Sequence, residues 1–141
     1  MSRRRVVITG LGIISPVGST IASAWQNVLA GHSGIAPITR FDVTNFQTRI
    51  GGAVAGFNPD EYLNPKEMRK MDAFMHYGFA AAVQAFKDAG LSVSPENAAR
   101  IGVAMGAGIG GLETIEENAQ KYYETKSPKR ISPFMVPGSI I

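Results

Sequence analysis

The chain contains no cysteine. Disulfides, thiolate metal sites and a cysteine nucleophile are therefore excluded within these 141 residues. Histidine is nearly as scarce: there are two, His32 and His76. They leave little for a histidine-based metal site, and no metal is expected. No apolar run approaches the roughly 18 residues that suggest a membrane span. A large excess of charge is missing too, with 14 Lys and Arg against 11 Asp and Glu, a net charge of +3. So mild an excess does not mark a nucleic-acid binder, and the local placement of charge has to decide.

What remains is a globular composition, 45% hydrophobic and 18% charged. The length suits one domain without an internal boundary, burying roughly 70% of the unfolded chain's surface. Arg3, Arg4 and Arg5 precede the apolar stretch Val6–Ile14, and no acid occurs before Asp42. That order imitates a targeting peptide. Glycines break the run, and it ends at Ser15-Pro16 with no clear A-x-A site at its end. A buried strand over Val6–Thr9, rich in β-branched residues, is the better reading. A cytoplasmic protein follows, with neither nucleic acid nor membrane as partner.

Helical signals are clear. Ser19 or Thr20 can cap a helix whose apolar residues Ile21, Ala24, Trp25, Val28 and Leu29 share one face, with Gly31 to stop it. Between residues 32 and 61 there is no long periodicity; Gly51–Ala55 reads as strand or loop. Asn64-Pro65 starts a short helix, and Asp72 can cap a second over Ala73–Ala89, ended by Gly90. Its centre, Phe79–Val83, is apolar nearly all round, so burial on most sides is expected. Ser94-Pro95-Glu96 opens a helical turn, and Ile101–Met105 reads as a second buried strand. A glycine-rich turn then leads to a helix with Leu112, Ile115, Ala119 and Tyr122 on one face. The segment Ile131–Ile141 is apolar and carries no polar cap. With the surplus of apolar helix surface, it suggests part of something larger.

Several patterns could carry chemistry. Gly106-x-Gly108-x-x-Gly111 lies between a strand signal and a helix, the context of a dinucleotide-binding turn. The acid expected about 20 residues further on is absent; close backbone packing at glycines is the better reading of the pattern. Gly31-His32-Ser33-Gly34 has Ile35 where a nucleophile elbow needs its last glycine. Asp72 and His76, at i and i+4, can pair along a helix. Two basic clusters stand out: Lys66, Arg69 and Lys70 at i, i+3, i+4 on one helix face, and Lys129 with Arg130. A basic surface run is usually just a solvated face; two clusters in one short chain strengthen the case for an acidic partner.

The stretch Arg4–Gly18 resembles the opening of the β-ketoacyl-acyl-carrier-protein synthases. So do Gly31–Ile35, Arg69–Asp72, Gly106–Gly111 and Ile131–Phe134. The resemblance runs through the whole chain in order, and Ile109 with Ile131-Ser132-Pro133-Phe134 is closer to the synthase II branch. Ala107 stands where that pattern commonly has Ser, and Met135 where it commonly has Phe. The resemblance implies an α/β fold, the thiolase-like layered α/β/α/β/α sandwich, of which this is part of the N-terminal half. It also implies a homodimer and fatty-acid elongation by decarboxylative Claisen condensation with malonyl-acyl carrier protein. The catalytic cysteine, histidines and lysine of such enzymes have no counterpart in these residues. No catalytic residue and no cofactor are assigned, and the chain is expected to be inactive alone. The resemblance implies an acyl-pocket gate at Ile109 and Gly108, a pocket wall at Phe134 and Met135, and carrier-protein docking by Lys66, Arg69, Lys70, Lys129 and Arg130. A non-catalytic carrier-binding piece is the alternative, and a nucleotide-binding domain the remote one.

Overall fold

A computed structural model describes residues 3–140. These divide into two compact units. One comprises the chain up to Asn58 together with Ala80–Leu91; the other comprises Pro59–Phe79 and the residues from Ser92 onward.

In the first unit, helix α1 covers Ile21–Leu29. Thr20 and Ser23 form a reciprocal capping box at its start, so the orphan amides of the first turn find local acceptors. Gly31, with φ of 71°, follows its end. Strands β1, Ile35–Pro37, and β2, Ile50–Gly52, pair antiparallel with Ile35 opposite Gly52. The segment 10–19 is held by side chains of helix α3, Ala73–Asp88, rather than by a strand ladder. Asp88 accepts from the Leu11 amide at 2.8 Å. Gln84 accepts from the Ile13 amide at 3.2 Å and donates to the Ser19 carbonyl at 2.8 Å.

Gly12 explains how close that approach is. A Cβ there would run into the Ala81 carbonyl oxygen and lie 2.8 Å from the Ala85 nitrogen, both parts of the helix backbone. Backbone cannot yield as a flexible side chain does. Gly12→Ala is expected to cost about 1–3 kcal/mol, read as a lower melting temperature; an unchanged melting temperature would mean that segment 10–19 does not pack here.

In the second unit, helix α2 covers Pro65–Met68 and helix α4 covers Leu112–Thr125. A last short helix, α5, covers Met135–Ser139. Turns of 3-10 helix occupy Pro59–Glu61, Ala98–Arg100 and Pro128–Arg130.

Several expectations need correction. Val6–Thr9 and Ile101–Met105 belong to no ladder among the described residues. They are not buried either: Val6 is 94% exposed and Val103 74%. β-Branched composition favours a strand only where a neighbouring strand supplies the ladder, and none pairs with them here. The accessible surface is 11204 Å², about half of the roughly 22,000 Å² expected for an unfolded chain of this mass, not the 30% or so of a self-sufficient domain. Among the described residues the buried apolar ones are Ala24, Leu63 and Ala80. The apolar stripe of α1 accordingly stays open, with Trp25 61% exposed in an apolar groove bounded by Leu11, Ile13, Val17, Ile21 and Val28. On α4, too, Leu112, Ile115 and Tyr122 are exposed, and the buried position is Asn118. The expected burial of α3 is met fully at Ala80, partly at Ala81–Val83, and not at Phe79. The segment 131–140, read from sequence only as apolar, contains α5; Ile141 lies outside the described residues.

Candidate functional site

The site is built in the second unit, around the end of α2. The Asn64 side chain accepts from the amides of Lys66 and Glu67 at 3.1 and 3.0 Å, which starts the helix where Pro65 needs no donor partner. The helix ends at Met68, so Lys66 lies within it while Arg69 and Lys70 lie in the turn that closes it. All three side chains are exposed. The sequence placed them on one helix face; the structure places them around one helix end.

Arg69 and Lys70 form one wall of a cavity of about 170 Å³. Helix α4 supplies the facing wall through Thr114, Glu117, Asn118 and Lys121, and Ser132, Phe134 and Gly138 complete it. Asn118 is the buried support. Its amide donates to the Thr114 carbonyl at 2.7 Å, and its oxygen accepts from the Ser132 amide at 2.7 Å. The Ser132 hydroxyl then accepts from the Phe134 amide at 3.1 Å. This relay seats the Phe134 ring 6.0 Å from the Lys70 ammonium, cation against ring face. Lys121 pairs with Glu117 at 3.3 Å on the same helix.

Arg69, Lys70 and Phe134 are thus brought together, along with Lys121, which the sequence reading passed over. Its signal was present: Thr114, Glu117, Asn118 and Lys121 recur at helical spacing opposite the apolar stripe. Lys66, Lys129, Arg130, Met135, Gly108 and Ile109 do not line this cavity. Lys129 and Arg130 sit exposed on the Pro128–Arg130 turn, beside α4. Met135 is half-buried at the start of α5.

Gly108 and Ile109 form a bend, and Ile109 is 72% exposed. A Cβ added at Gly106 or Gly108 would meet nothing within 4 Å. Gly110 and Gly111 are the opposite case. Gly110 has φ of 80° and abuts the Ser139 carbonyl oxygen. A Cβ on Gly111 would lie 2.7 Å from Asp72 Oδ2 and 2.9 Å from Ser139 Cα. The glycine run is open at its first half and clamped at its second.

Other candidates resolve into structure. A ring nitrogen of His76 lies 3.3 Å from the Met68 carbonyl, and its amide bonds to the Asp72 carbonyl at 3.4 Å. His32 Nδ1 lies 3.0 Å from Asn27 Oδ1, and the Ser33 hydroxyl accepts from the Ile35 amide at 3.1 Å. The Thr44 hydroxyl and amide hold the Asp42 carboxyl below its ordinary range, and the Ser94 hydroxyl, with the Glu96 backbone, does the same for Glu96. Both carboxylates stabilise exposed turns. Among the described residues no group of three or more His, Cys, Asp or Glu could hold a metal ion, and no helix is long and apolar enough to cross a membrane.

Residues 3–140 match the family model described as β-ketoacyl synthase, N-terminal domain. The chain is 56% identical over all 141 residues to 3-oxoacyl-[acyl-carrier-protein] synthase 2 of Vibrio cholerae serotype O1, covering 34% of that protein. It is 48% identical to the protein of the same name from Coxiella burnetii, again with full coverage of this chain and 34% of the relative. The chain therefore spans about a third of the length of these curated relatives. Among solved structures, the ishigamide ketosynthase/chain length factor matches with a TM-score of 0.80 at 29% identity, over 98% of this chain and 34% of that one. A type II polyketide ketosynthase, solved in complex with its acyl-carrier protein and bound to the hexaketide, matches with a TM-score of 0.74 at 25% identity, over 98% and 35%. The α/β architecture is thus that of part of the N-terminal half of a thiolase-like ketosynthase.

Proposed function

This chain belongs to the β-ketoacyl synthase family, as an N-terminal domain, and from that membership we propose that it serves an enzyme of fatty-acid chain elongation. The reaction is a decarboxylative Claisen condensation. An acyl group held as a thioester is attacked by the carbanion that forms when malonyl-acyl carrier protein loses carbon dioxide. A carbon–carbon bond forms, the carbon–sulfur bond of the acyl thioester breaks, and the thiolate leaves with the electron pair. The observation that carries the reading is the 56% identity to a 3-oxoacyl-[acyl-carrier-protein] synthase 2 across the full chain.

In that enzyme these residues recognise and measure rather than react. Arg69 and Lys70, with Lys66 beside them and Lys129 and Arg130 on their own turn, receive the acidic carrier protein; exposed cations of this kind accelerate encounter. Phe134 and Met135 wall the acyl pocket, and Ile109 gates it from the uncrowded bend at Gly108. The complex of a structural neighbour with its acyl-carrier protein supports the choice of partner. The uncovered apolar residues Val6, Ile8, Trp25 and Val103 support a role inside a larger enzyme, where such surface finds cover; the enzyme we infer is a cytoplasmic homodimer.

The experiment follows product from carrier-bound substrates. The full-length enzyme is expected to release carbon dioxide and form the 3-oxoacyl carrier; failure to do either overturns the proposal. Reversal of Lys66 and Arg69 to Glu is expected to slow association with carrier protein about tenfold or more and to flatten its salt dependence. Turnover of a small thioester needing no carrier stays near normal. Equal losses on both substrates would make the cluster structural.

A further inference from the structure

We propose that Asp72 is a positioning residue of the acyl pocket: it fixes the base of the loop carrying Ile109 and the segment carrying Phe134 and Met135 against the docking turn at Lys70. This rests on the function proposed above and deepens it. Three segments meet at this one residue. Its amide donates to the Gly138 carbonyl at 3.3 Å, which ties it to α5. Its own carbonyl accepts from the amides of Met75 and His76 at 3.0 and 3.4 Å, which opens α3. Its carboxylate Oδ2 accepts from the Thr114 amide at 2.9 Å, which opens α4.

The last contact is the informative one. Helix α4 begins after Gly111, which has no side chain to cap it. The Leu112 amide reaches the Gly110 carbonyl at 3.2 Å, but the Thr114 amide needs an acceptor from elsewhere, and it comes from 42 residues away in sequence. A carboxylate also complements the positive end of the helix dipole.

The packing leaves no slack around that cap. Gly111 donates to the Ser139 carbonyl at 3.0 Å, and no Cβ fits between it and Asp72. A Cβ at Gly138 would lie 2.8 Å from the Lys70 carbonyl oxygen. The docking turn, the glycine loop and the pocket-wall helix therefore touch backbone to backbone at Asp72. Upstream, Gly106 and Gly108 have open space, so the loop's freedom lies on the side of Ile109 and its fixed point lies at Gly110–Gly111. Without the carboxylate, that fixed point loses its hold on α4.

The test uses the full-length enzyme. Asp72→Ala, Asp72→Asn and, as a destabilised control in the other unit, Gly12→Ala are compared for kcat and KM on short and long acyl substrates. Hydrogen–deuterium exchange is followed over residues 106–115. Asp72→Ala is expected to change the long-to-short ratio of kcat/KM by about tenfold or more and to speed exchange over residues 106–115. Asp72→Asn, whose amide oxygen still accepts from Thr114, keeps the ratio. Gly12→Ala lowers the melting temperature and leaves the ratio alone. An unchanged ratio and exchange pattern in Asp72→Ala, or the same change of ratio in Gly12→Ala, overturns the proposal. Should Asp72→Ala fail to fold, Asp72→Ser reads the same loss, because its hydroxyl falls short of Thr114. A wild-type enzyme without condensing activity would overturn the function proposed above, and the exchange comparison would still decide whether Asp72 fixes the loop.

Discussion

The 141-residue polypeptide, purified alone and supplied with acyl- and malonyl-carrier protein, is expected to release no carbon dioxide and to form no 3-oxoacyl product. Carrying the acyl group as a thioester on the enzyme needs a cysteine thiolate, and the chain holds no cysteine. Neither histidine offers a substitute base aimed at a substrate: His76 faces the Met68 carbonyl, and His32 faces Asn27. The loss is therefore complete rather than partial. Low solubility is expected with it, since Val6, Ile8 and Val103 are 94%, 83% and 74% exposed. Mass spectrometry for an acylated polypeptide, together with a carbon dioxide assay in a preparation free of host synthase, checks both points. Steady condensation by this polypeptide would overturn the assignment of the nucleophile to residues outside it.

In the full-length enzyme, Ile109→Phe is expected to reduce kcat/KM for long acyl chains by about 100-fold while short chains still react. The added volume shortens the slot that a long chain must enter. Overpacking of a filled core would instead cost stability and harm every substrate alike. The geometry of this chain favours selectivity: Ile109 is 72% exposed, on a bend whose neighbour Gly108 has nothing within 4 Å of a Cβ. Within these residues the larger ring has room. Rates for acyl substrates of graded length, with melting temperatures alongside, separate the two outcomes. Equal losses for short and long chains with a lowered melting temperature would show that Ile109 fills core and gates nothing.

Much of the local structure was legible in the sequence, and for one reason. Helix starts and stops are decided within a few residues, by groups that lie next to each other along the chain. Thr20 before α1 and Asn64-Pro65 before α2 needed no distant partner to be recognised, and both side chains make the capping bonds their chemistry predicts; Asp72 does precede α3, where its carbonyl accepts from the amides of Met75 and His76. The absence of cysteine likewise settled, from composition alone, that these residues hold no thiolate. The motifs running in order from Arg4 to Phe134 identified the family before any fold was known.

The tertiary structure alone decided what depends on partners far away in sequence. Val6–Thr9 and Ile101–Met105 have the composition of strands, but a strand exists only in a ladder, and composition does not say whether a neighbour is present. Residues 10–19 found side chains of Gln84 and Asp88 instead. The stripe on α4 pointed to Leu112 and Ile115, yet the buried residue is Asn118, because Ser132 arrives to use its oxygen. Arg69, Lys70, Lys121 and Phe134 share one cavity although they span more than 60 positions. The second role of Asp72, as the cap of α4, was invisible for the same reason. A glycine at a helix start shows that an acceptor is missing locally, but only the folded chain brings that acceptor within 2.9 Å.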